Sequence, residues 1–368
     1  MFVSRIKVYK FRNLADQEVA VSPGPVFITG LNGNGKTNLL EAVYLLTGSR
    51  SFRTNSSAEL ARFGDRECSI FGAVTHKSGT EELGLIFTPG ERTAQLNGKP
   101  LPSIAELLGR LRAVAFSPSD LQLVKGAPAA RRKFLDRHMV DLQPAYLSTL
   151  VAYQRALASK SALLKQQGTT YQQLLPWNEV LADYGGKIVD NRAKFIRSLG
   201  DVAASFHLEY APTDGPLELS IDSDLVSEGA NSSQTILEQL ERASSREIAL
   251  RSPLVGPHRD DLKIAIGGVD CRAFASQGQT RSVVLSMKLG VIELIEGLTG
   301  EAPVVLLDDV DSELDAGRSE RLFNALLAKP RQIIVTGTAA PSGKFALAPN
   351  LQVLRVDRGA VSESKNAA

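Results

Sequence analysis

The residues best suited to chemistry form a loop with the pattern G-x-x-x-x-G-K-T: Gly30, Leu31, Asn32, Gly33, Asn34, Gly35, Lys36 and Thr37. Glycines at this spacing let consecutive backbone N–H groups point at a phosphate, and a helix that follows presents the positive end of its dipole to the same anion. Lys36 would contact the β- and γ-phosphates, and the Thr37 hydroxyl would ligate Mg²⁺. We add the next residue, Asn38, to the expected nucleotide contacts.

A second candidate site lies at Asp308 and Asp309, which follow the apolar run Val304–Leu307. Continuous Val and Leu are typical of a buried parallel strand, and ligands gather beyond the carboxyl end of such a strand. There Asp308 would hold Mg²⁺, directly or through water, and Asp309 would orient or deprotonate the attacking water. Taken alone, the pattern fits a core strand and a polar turn equally well. The phosphate loop favours the catalytic interpretation.

Two further segments could complete such a site. Ser276, Gly278 and Gln279 open a helix-like segment. A serine next to glycine-containing backbone at a helix N-terminus is another anion-binding pattern. Shortly after Asp309 comes the polar segment Ser312-Glu313-Leu314-Asp315.

The elements that must position these residues alternate between strands and helices, which predicts an α/β fold. A strand-like run, 26–29, precedes the phosphate loop, and a helix-like run, 38–46, follows it. Neighbouring strands are predicted at 68–74 and 83–87, and Asn97-Gly98 suits a tight hairpin turn because both residues tolerate a positive φ.

The middle of the chain has a helical pattern. Apolar residues at helical spacing predict a helix over about 129–167, broken at Pro144, and a longer one over 177–206. Residues 168–170 and Leu175-Pro176 are predicted turns between the long helices. We therefore expect an ATPase lobe, with a mixed β-sheet and a parallel α/β core, formed by 1–125 and 251–368. Residues 126–250 would form an inserted α-helical lobe.

Composition excludes several classes of protein. The chain has 368 residues and a formal net charge of +2, so any nucleic-acid surface must be a local patch. Its two cysteines, Cys68 and Cys271, have no metal-ligand spacing and are too few for a disulfide framework. The N-terminus does not have the apolar core of a signal peptide, and no apolar run approaches the roughly 20 residues that span a bilayer. We expect a cytoplasmic protein that does not enter the membrane.

The order of these parts resembles the ABC-type P-loop ATPases, and within them the branch that contains SMC heads and the RecF family of bacterial recombination and repair proteins. Lys36 and Asp308 are separated by most of the chain, as a large insertion requires. The resemblance rests on segments from both ends of the sequence: 10–14 (KFRNL), 33–38 (GNGKTN), 51–53 (SFR), 131–136 (RRKFLD), 256–262 (GPHRDDL), 276–279 (SQGQ) and 308–309 (DD).

The resemblance implies that ATP is shared between two subunits. Ser276, Gly278 and Gln279 would contact the γ-phosphate of ATP held by the phosphate loop of a second copy, giving a head-to-tail homodimer. Asp309 is shorter than the usual catalytic Glu, and Gly337 stands where a switch histidine is expected. Gln122 is the nearest candidate for the glutamine that assists Mg²⁺ binding in ABC-type ATPases. These departures predict slow hydrolysis to ADP and phosphate, so that ATP acts as a switch.

The resemblance also implies ATP-dependent DNA binding in repair, recombination and replication, including the SOS response to DNA damage. Members of the family act at gaps or junctions with RecO and RecR, promote RecA loading, and have a weak DNA-stimulated ATPase activity. Charged faces of exposed helices are ordinary, so basic residues are only candidates for phosphate contacts. The candidates are Arg131, Arg132, Lys133, Lys187, Arg192, Lys194 and Arg197.

Two other classes share a phosphate loop. A transporter's nucleotide-binding subunit places its signature much nearer to the phosphate loop and keeps the switch histidine. A small-molecule phosphotransferase would leave 276–279 and 312–315 unexplained. Both fit the sequence less well than a repair ATPase.

Overall fold

The computed structural model describes residues 1–54, 56–225, 231–309, 316–341 and 343–364. The chain divides into two compact units, Met1–Leu121 with Val291–Ala368, and Gln122–Gly290. Residues 251–290, predicted to belong to the ATPase lobe, fall in the second unit. The physical reason is strand pairing, because residues 261–266 pair with residues 217–222 of the same unit.

The first unit contains an antiparallel sheet whose strand order is β2-β1-β4-β5-β6-β7. The strands are β1 (Phe2–Tyr9), β2 (Gln17–Ala20), β4 (Cys68–His76), β5 (Gly79–Thr88), β6 (Glu91–Leu96) and β7 (Lys99–Pro100). The predicted strands near 68–74 and 83–87 are confirmed as neighbours. The predicted turn at Asn97-Gly98 joins β6 to β7, and both residues have a positive φ.

A second sheet in the same unit has the order β15-β14-β3-β13-β12-β8. Its strands are β3 (Pro25–Thr29), β8 (Ala113–Phe116), β12 (Val304–Leu307), β13 (Ile333–Gly337), β14 (Gln352–Asp357) and β15 (Ala360–Glu363). All pairs are parallel except β14 with β15. Because β13 lies between β3 and β12, the carboxyl ends of these three strands meet at one edge, where a ligand site is expected.

Helix α1 (Lys36–Leu45) positions the phosphate loop. Its apolar residues belong to a core that also contains residues of both sheets, among them Val8, Ile28 and Leu306. The loop is therefore held between a buried strand, β3, and a buried helix. The α/β class predicted from the sequence is confirmed.

The second unit is mainly helical. Its elements are α2 (Gln122–Lys125), α3 (Pro128–Leu142), α4 (Ala145–Leu164), α5 (Tyr171–Tyr210), α6 (Ser232–Leu250), α7 (Cys271–Phe274), and β9 (Leu217–Asp222), β10 (Asp261–Ile266) and β11 (Val269–Asp270). Helix α8 (Gln277–Thr299) starts in this unit, and α9 (Ala316–Leu327) and α10 (Gly343–Ala346) follow in the first. Short 3₁₀ helices lie at Ser57–Leu60, Ile104–Leu107 and Pro118–Leu121.

Two prolines had different outcomes. The predicted break at Pro144 is confirmed, since α3 ends at Leu142 and α4 begins at Ala145. The predicted turn at Leu175-Pro176 is wrong, because α5 continues through Pro176. A capping box at Thr170 and Gln173 provides hydrogen bonds for backbone N–H groups at the start of α5. Pro176 lies shortly after the first turn, where it removes only one backbone hydrogen bond. Within the described ranges, no helix has both the length and the apolar character required to cross a bilayer.

Candidate nucleotide-binding site

The phosphate loop adopts a conformation that requires glycine at two points. Gly35 has a φ of 113°, and a Cβ there would lie 2.8 Å from Asn13 Oδ1. A Cβ on Gly30 would lie 2.3 Å from the carbonyl oxygen of Val356, which is too close for any side chain. The chain therefore turns tightly between β3 and α1, and α1 begins directly at Lys36.

The side chain of Lys36 folds back over the loop. Its Nζ donates to the carbonyl oxygens of Gly30 at 2.7 Å and Leu31 at 3.2 Å. Burial lowers the pKa of Lys36, and the carboxylates of Asp309 and Asp308 oppose that shift. The ammonium group is thus held over the loop by neutral carbonyls, and a phosphate that entered the loop would be a stronger partner for it.

Thr37 and Asp308 lie together, as a Mg²⁺ site requires. The Thr37 Oγ1 donates to Asp308 Oδ1 at 2.7 Å. Burial raises the pKa of Asp308, while hydrogen bonds from Thr37 and Thr336 oppose the shift. A hydroxyl and one carboxylate are hard oxygen ligands, and Mg²⁺ in phosphate sites commonly takes one or two protein ligands with phosphate and water oxygens. The donor set therefore fits Mg²⁺.

A different type of metal site would use several protein ligands. In the part of the chain that the structure describes, no three or more His, Cys, Asp or Glu side chains are grouped so as to hold a metal ion. The two cysteines are free and buried.

Asp309 has an uncommon backbone conformation, with a φ of 52°. Its N–H donates to the Thr336 Oγ1 at 2.9 Å, and the same hydroxyl donates to Asp308 Oδ1 at 2.9 Å. Thr336 lies at the end of β13, the strand between those that carry the phosphate loop and Asp308. Sequence reasoning missed this residue, because nothing in a single sequence indicates which strand lies between the two halves of the site.

Lys36, Thr37, Asp309 and Thr336 line one cleft of about 250 Å³. The cleft residues are Asn32, Gly33, Gly35, Lys36, Thr37, Asn38, Arg53, Asp309 and Thr336. Most are predicted phosphate-loop residues, and Arg53 and Thr336 are additions that the structure provides.

Asn13 connects the phosphate loop to the N-terminal strand. Its Nδ2 donates to the carbonyl oxygen of Gly33 at 2.7 Å, and its Oδ1 accepts from Asn38 Nδ2 at 2.6 Å. The Arg53 Nη1 donates to Asn38 Oδ1 at 2.5 Å. Asn34 is held from the other side, since its Nδ2 donates to the carbonyl oxygen of Val356 at 3.2 Å. The loop is therefore supported at its tip by side chains from outside the motif.

A buried carboxylate organises the arginines beside the cleft. Glu41 on α1 is fully buried and accepts two hydrogen bonds from Arg12, at 2.9 and 3.0 Å. The Ser51 hydroxyl donates to the same carboxylate at 2.5 Å, and Arg53 Nη1 lies 3.5 Å from it. One carboxylate thus faces two guanidinium groups beside the cleft. From the sequence, the segments 10–14 and 51–53 are only parts of a family pattern. In the structure both segments contact Glu41, through Arg12, Ser51 and Arg53.

The signature residues lie in the second unit, at the start of α8. Ser276 and Gln279 form a capping box, in which Ser276 Oγ accepts from Gln279 N at 3.2 Å and Gln279 Oε1 accepts from Ser276 N at 3.0 Å. Lys125 Nζ donates to the carbonyl oxygens of Cys271 and Ala275, which fixes the segment that leads into the helix. Ser276 is exposed, so the helix N-terminus is preformed and accessible within this unit.

Three further features of the sequence remain: a glutamine, a polar segment and a buried histidine. Gln122 starts α2 with an exposed side chain, and its role as a Mg²⁺ ligand stays a prediction. Ser312-Glu313-Leu314-Asp315 lies outside the described residues. His258, from the family segment 256–262, has its Nδ1 2.6 Å from the Tyr153 hydroxyl, and burial lowers its pKa to about 4.

Two of the candidate DNA contacts are buried structural residues. Arg131 is 2% exposed and forms two hydrogen bonds with Asp261, at 2.6 and 2.7 Å. Arg192 is 3% exposed and is bound by Asp136 and Asp260. Their guanidinium groups are neutralised inside the unit and are not available to DNA, so their assignment as DNA contacts is corrected.

The remaining candidates are accessible to different degrees. Lys133, Lys194 and Arg197 are exposed. Lys187 is also exposed but lies 2.8 Å from Asp183. Arg132 is half-buried, and its Nη1 donates to the carbonyl oxygen of Asp260 at 2.6 Å. Lys133, Lys194 and Arg197 are thus the strongest candidates of the seven.

The fold, the phosphate loop and the carboxylates at the end of β12 define the head of an ABC-type ATPase. The comparisons with known proteins agree. The family model described as the RecF/RecN/SMC N terminal domain matches residues 2–359. The chain belongs to this family, in its RecF branch.

Relatives match along the whole chain. The DNA replication and repair protein RecF of Streptococcus agalactiae serotype V is 35% identical over 370 residues, which covers 100% of both chains. The protein with the same name from a Synechococcus species is 36% identical over 374 residues and covers 99% of this chain and 98% of its own.

Solved structures give the same result for the fold. The recombination mediator protein RecF-ATP of the RecFOR pathway matches with a TM-score of 0.91 at 31% identity, over 99% of this chain and 98% of that chain. An Smc head bound to the C-winged helix domain of ScpA matches with a TM-score of 0.56 at 14% identity, over 99% of this chain and 98% of that chain. The second similarity concerns the fold alone.

Proposed function

We propose that this chain is an ATP-dependent DNA-binding protein of recombinational repair, in which bound ATP closes a head-to-tail homodimer. The first unit would be the ATPase lobe and the second the inserted lobe that carries the signature. The observation that carries the proposal is the cleft that Lys36 and Thr37 line, with Thr37 hydrogen-bonded to Asp308, in a chain whose relatives include a RecF structure with ATP.

The cleft residues and the adjoining Asp308 include the groups that ATP binding and hydrolysis require. The phosphate-loop N–H groups and Lys36 bind the phosphates, and Thr37 and Asp308 would hold Mg²⁺. The metal would neutralise charge on the β- and γ-phosphate oxygens. Asp309 orients the attacking water, and the products are ADP and phosphate. Asp309 is short and Gly337 replaces a switch histidine, so we expect slow hydrolysis that is stimulated weakly by DNA.

The second copy supplies what the first unit does not contain. Ser276 and the N–H groups at the start of α8 would approach the γ-phosphate held by the partner's phosphate loop, as the resemblance implies. The capping box preorganises this helix end, so few degrees of freedom are lost when it binds. ATP would thus become part of the dimer interface, and hydrolysis would release it.

The substitution Ser276→Arg tests the dimer. A long cationic side chain at the helix start should block the approach of the partner and leave binding of ATP by the monomer unchanged. Light scattering with ATP should show dimers of the wild type and monomers of the variant. Ser148→Arg, at an exposed serine of α4, is the matched control and should still dimerise. A dimer of the Ser276→Arg variant would remove Ser276 from the interface.

We further propose that the substrate is DNA at gaps or junctions and that RecO, RecR and RecA are functional partners. The relatives' name, DNA replication and repair protein, and the RecFOR pathway of the ATP-bound relative support this proposal. The protein would act in the cytoplasm. Fluorescence anisotropy with gapped and intact duplex DNA, with and without ATP, tests it. Equal binding of all DNAs with or without ATP would contradict it.

A further inference from the structure

Thr336 contacts both consecutive carboxylate residues of the site through one oxygen atom. Its Oγ1 donates to Asp308 Oδ1 and accepts from Asp309 N, each at 2.9 Å. The residue is 1% exposed and lies at the end of β13. This strand pairs in parallel with β3 on one side and β12 on the other, so Thr336 stands between the two halves of the site.

The contact with Asp309 supports an unfavourable backbone conformation. A φ of 52° is uncommon for a residue other than glycine, and such conformations persist only where neighbouring groups hold them. The bond from Asp309 N to the threonine hydroxyl is one such restraint. Asp309 lines the cleft in this conformation, together with Lys36 and Thr37.

The contact with Asp308 restrains the other carboxylate. Asp308 Oδ1 accepts hydrogen bonds from both Thr37 and Thr336, so its position is fixed from two directions. A hydroxyl can donate one bond and accept another at the same time, which neither valine nor alanine can do. The pattern therefore requires threonine or serine.

We propose that Thr336 is a positioning residue for ATP hydrolysis. Its hydroxyl holds Asp309 in the orientation from which it directs the attacking water, and it restrains Asp308, which would hold Mg²⁺. Thr336 lies at the end of β13, next to Gly337, which has no side chain that could restrain the two aspartates. The inference rests on the proposed ATPase function and assigns a further residue to it.

The pair Thr336→Val and Thr336→Ser separates the hydroxyl from the shape of the side chain. Valine keeps the shape and loses the hydroxyl, whereas serine keeps the hydroxyl. We expect Thr336→Val to lower the single-turnover hydrolysis rate by about tenfold to a hundredfold, with ATP affinity by calorimetry changed less than about threefold. Thr336→Ser should retain most of the rate. Hydrolysis by Thr336→Val at the wild-type rate would overturn the inference.

A double variant tests whether Thr336 acts through Asp309. Asp309→Asn alone should remove most of the activity, and adding Thr336→Val should then cost clearly less than it costs in the wild type, because the part of its effect that acts through Asp309 is already lost. Additive losses would contradict that mechanism. Should Thr336→Val fail to fold, as judged by circular dichroism, the comparison passes to Thr336→Ala and Thr336→Ser. A wild type that binds ATP without hydrolysing it would refute the ATPase itself, which is a different outcome from equal rates in wild type and variant.

Discussion

Both units bury charged residues, but they pair them differently. In the second unit three buried cations form closed pairs: Arg131 with Asp261, Arg192 with Asp136 and Asp260, and Lys160 with Glu247. In the first unit, Lys36 binds carbonyl oxygens of its own loop, and two arginines face the single carboxylate of Glu41. In the first arrangement each cation faces carboxylates, and in the second the Lys36 ammonium group rests on neutral carbonyls beside a cleft.

This difference separates structural charges from functional ones. A closed buried pair has already lost its hydration and gains nothing from an external anion. An ammonium group on neutral carbonyls gains a stronger partner when a phosphate arrives. Burial of a charge by itself therefore does not indicate function, and the chemical type of its partner is more informative.

The largest effect is expected for a closed pair. Lys160 and Glu247 are fully buried and 2.6 Å apart, joining α4 to α6. Lys160→Met should lower the free energy of unfolding of the second unit by about 3–5 kcal/mol, because it leaves Glu247 buried without its partner. Urea denaturation followed by circular dichroism measures this. The double variant Lys160→Met/Glu247→Leu should recover much of the loss, and ATP affinity should not change.

An equally large loss of stability in the double variant would mean that the pair's contribution is packing and not charge. A single variant as stable as the wild type would show that the charge of Glu247 is compensated elsewhere, and the distinction between the two units would then be much weaker.

The second largest effect is expected for Lys36, whose partners are neutral carbonyls. Lys36→Met removes the ammonium group at the phosphates and should weaken ATP binding by about a hundredfold or more, which is about 2.7 kcal/mol. Calorimetry with ATP measures the affinity, and thermal denaturation should change little, because the hydrogen-bond partners of Lys36 are carbonyls of the loop. Unchanged affinity would refute the role of Lys36. A large loss of thermal stability would place Lys36 with the closed pairs.

The sequence predicted the fold class and the two halves of the site because both have local signatures. Glycine spacing marks the phosphate loop, and a continuous apolar run that ends in Asp308 marks a buried strand. The strand between them, β13, is also a continuous apolar run, but no local signature places it between β3 and β12, so the role of Thr336 was missed. Asn13 was missed as a support of the loop for the same reason, since its contacts with Gly33 and Asn38 join segments distant in sequence.

The wrong predictions relied on the type of a residue, without knowledge of the residues that it contacts. Arginines such as Arg131 and Arg192 are typical of a DNA-binding surface, but the carboxylates of Asp261 and Asp136 neutralise these two. Proline is typical of a turn, but at Pro176 a capping box and the packing of α5 against α4 and α6 keep the helix intact. In each case the deciding interaction is long-range or specific in geometry, which a single sequence does not reveal.

The smallest expected effect concerns exposed charges outside both kinds of arrangement. Lys194 and Arg197 are exposed on α5, whereas Arg192 on the same helix is buried in a closed pair. Lys194→Glu with Arg197→Glu should weaken DNA binding. It should also reduce the slope of log affinity against log salt by about 0.9 for each DNA phosphate that is no longer neutralised, so by about 2. Fluorescence anisotropy at several salt concentrations measures the slope.

The matched control is Arg242→Glu with Arg246→Glu, two exposed arginines of α6 that give the same change in net charge. An effect of local contacts appears only in the first pair of substitutions, whereas an effect of overall charge appears in both. Equal slopes in the two double variants would therefore remove Lys194 and Arg197 from the DNA surface. Lys133, the other exposed candidate, would then be the next residue to test, because closed pairing excludes Arg131 beside it.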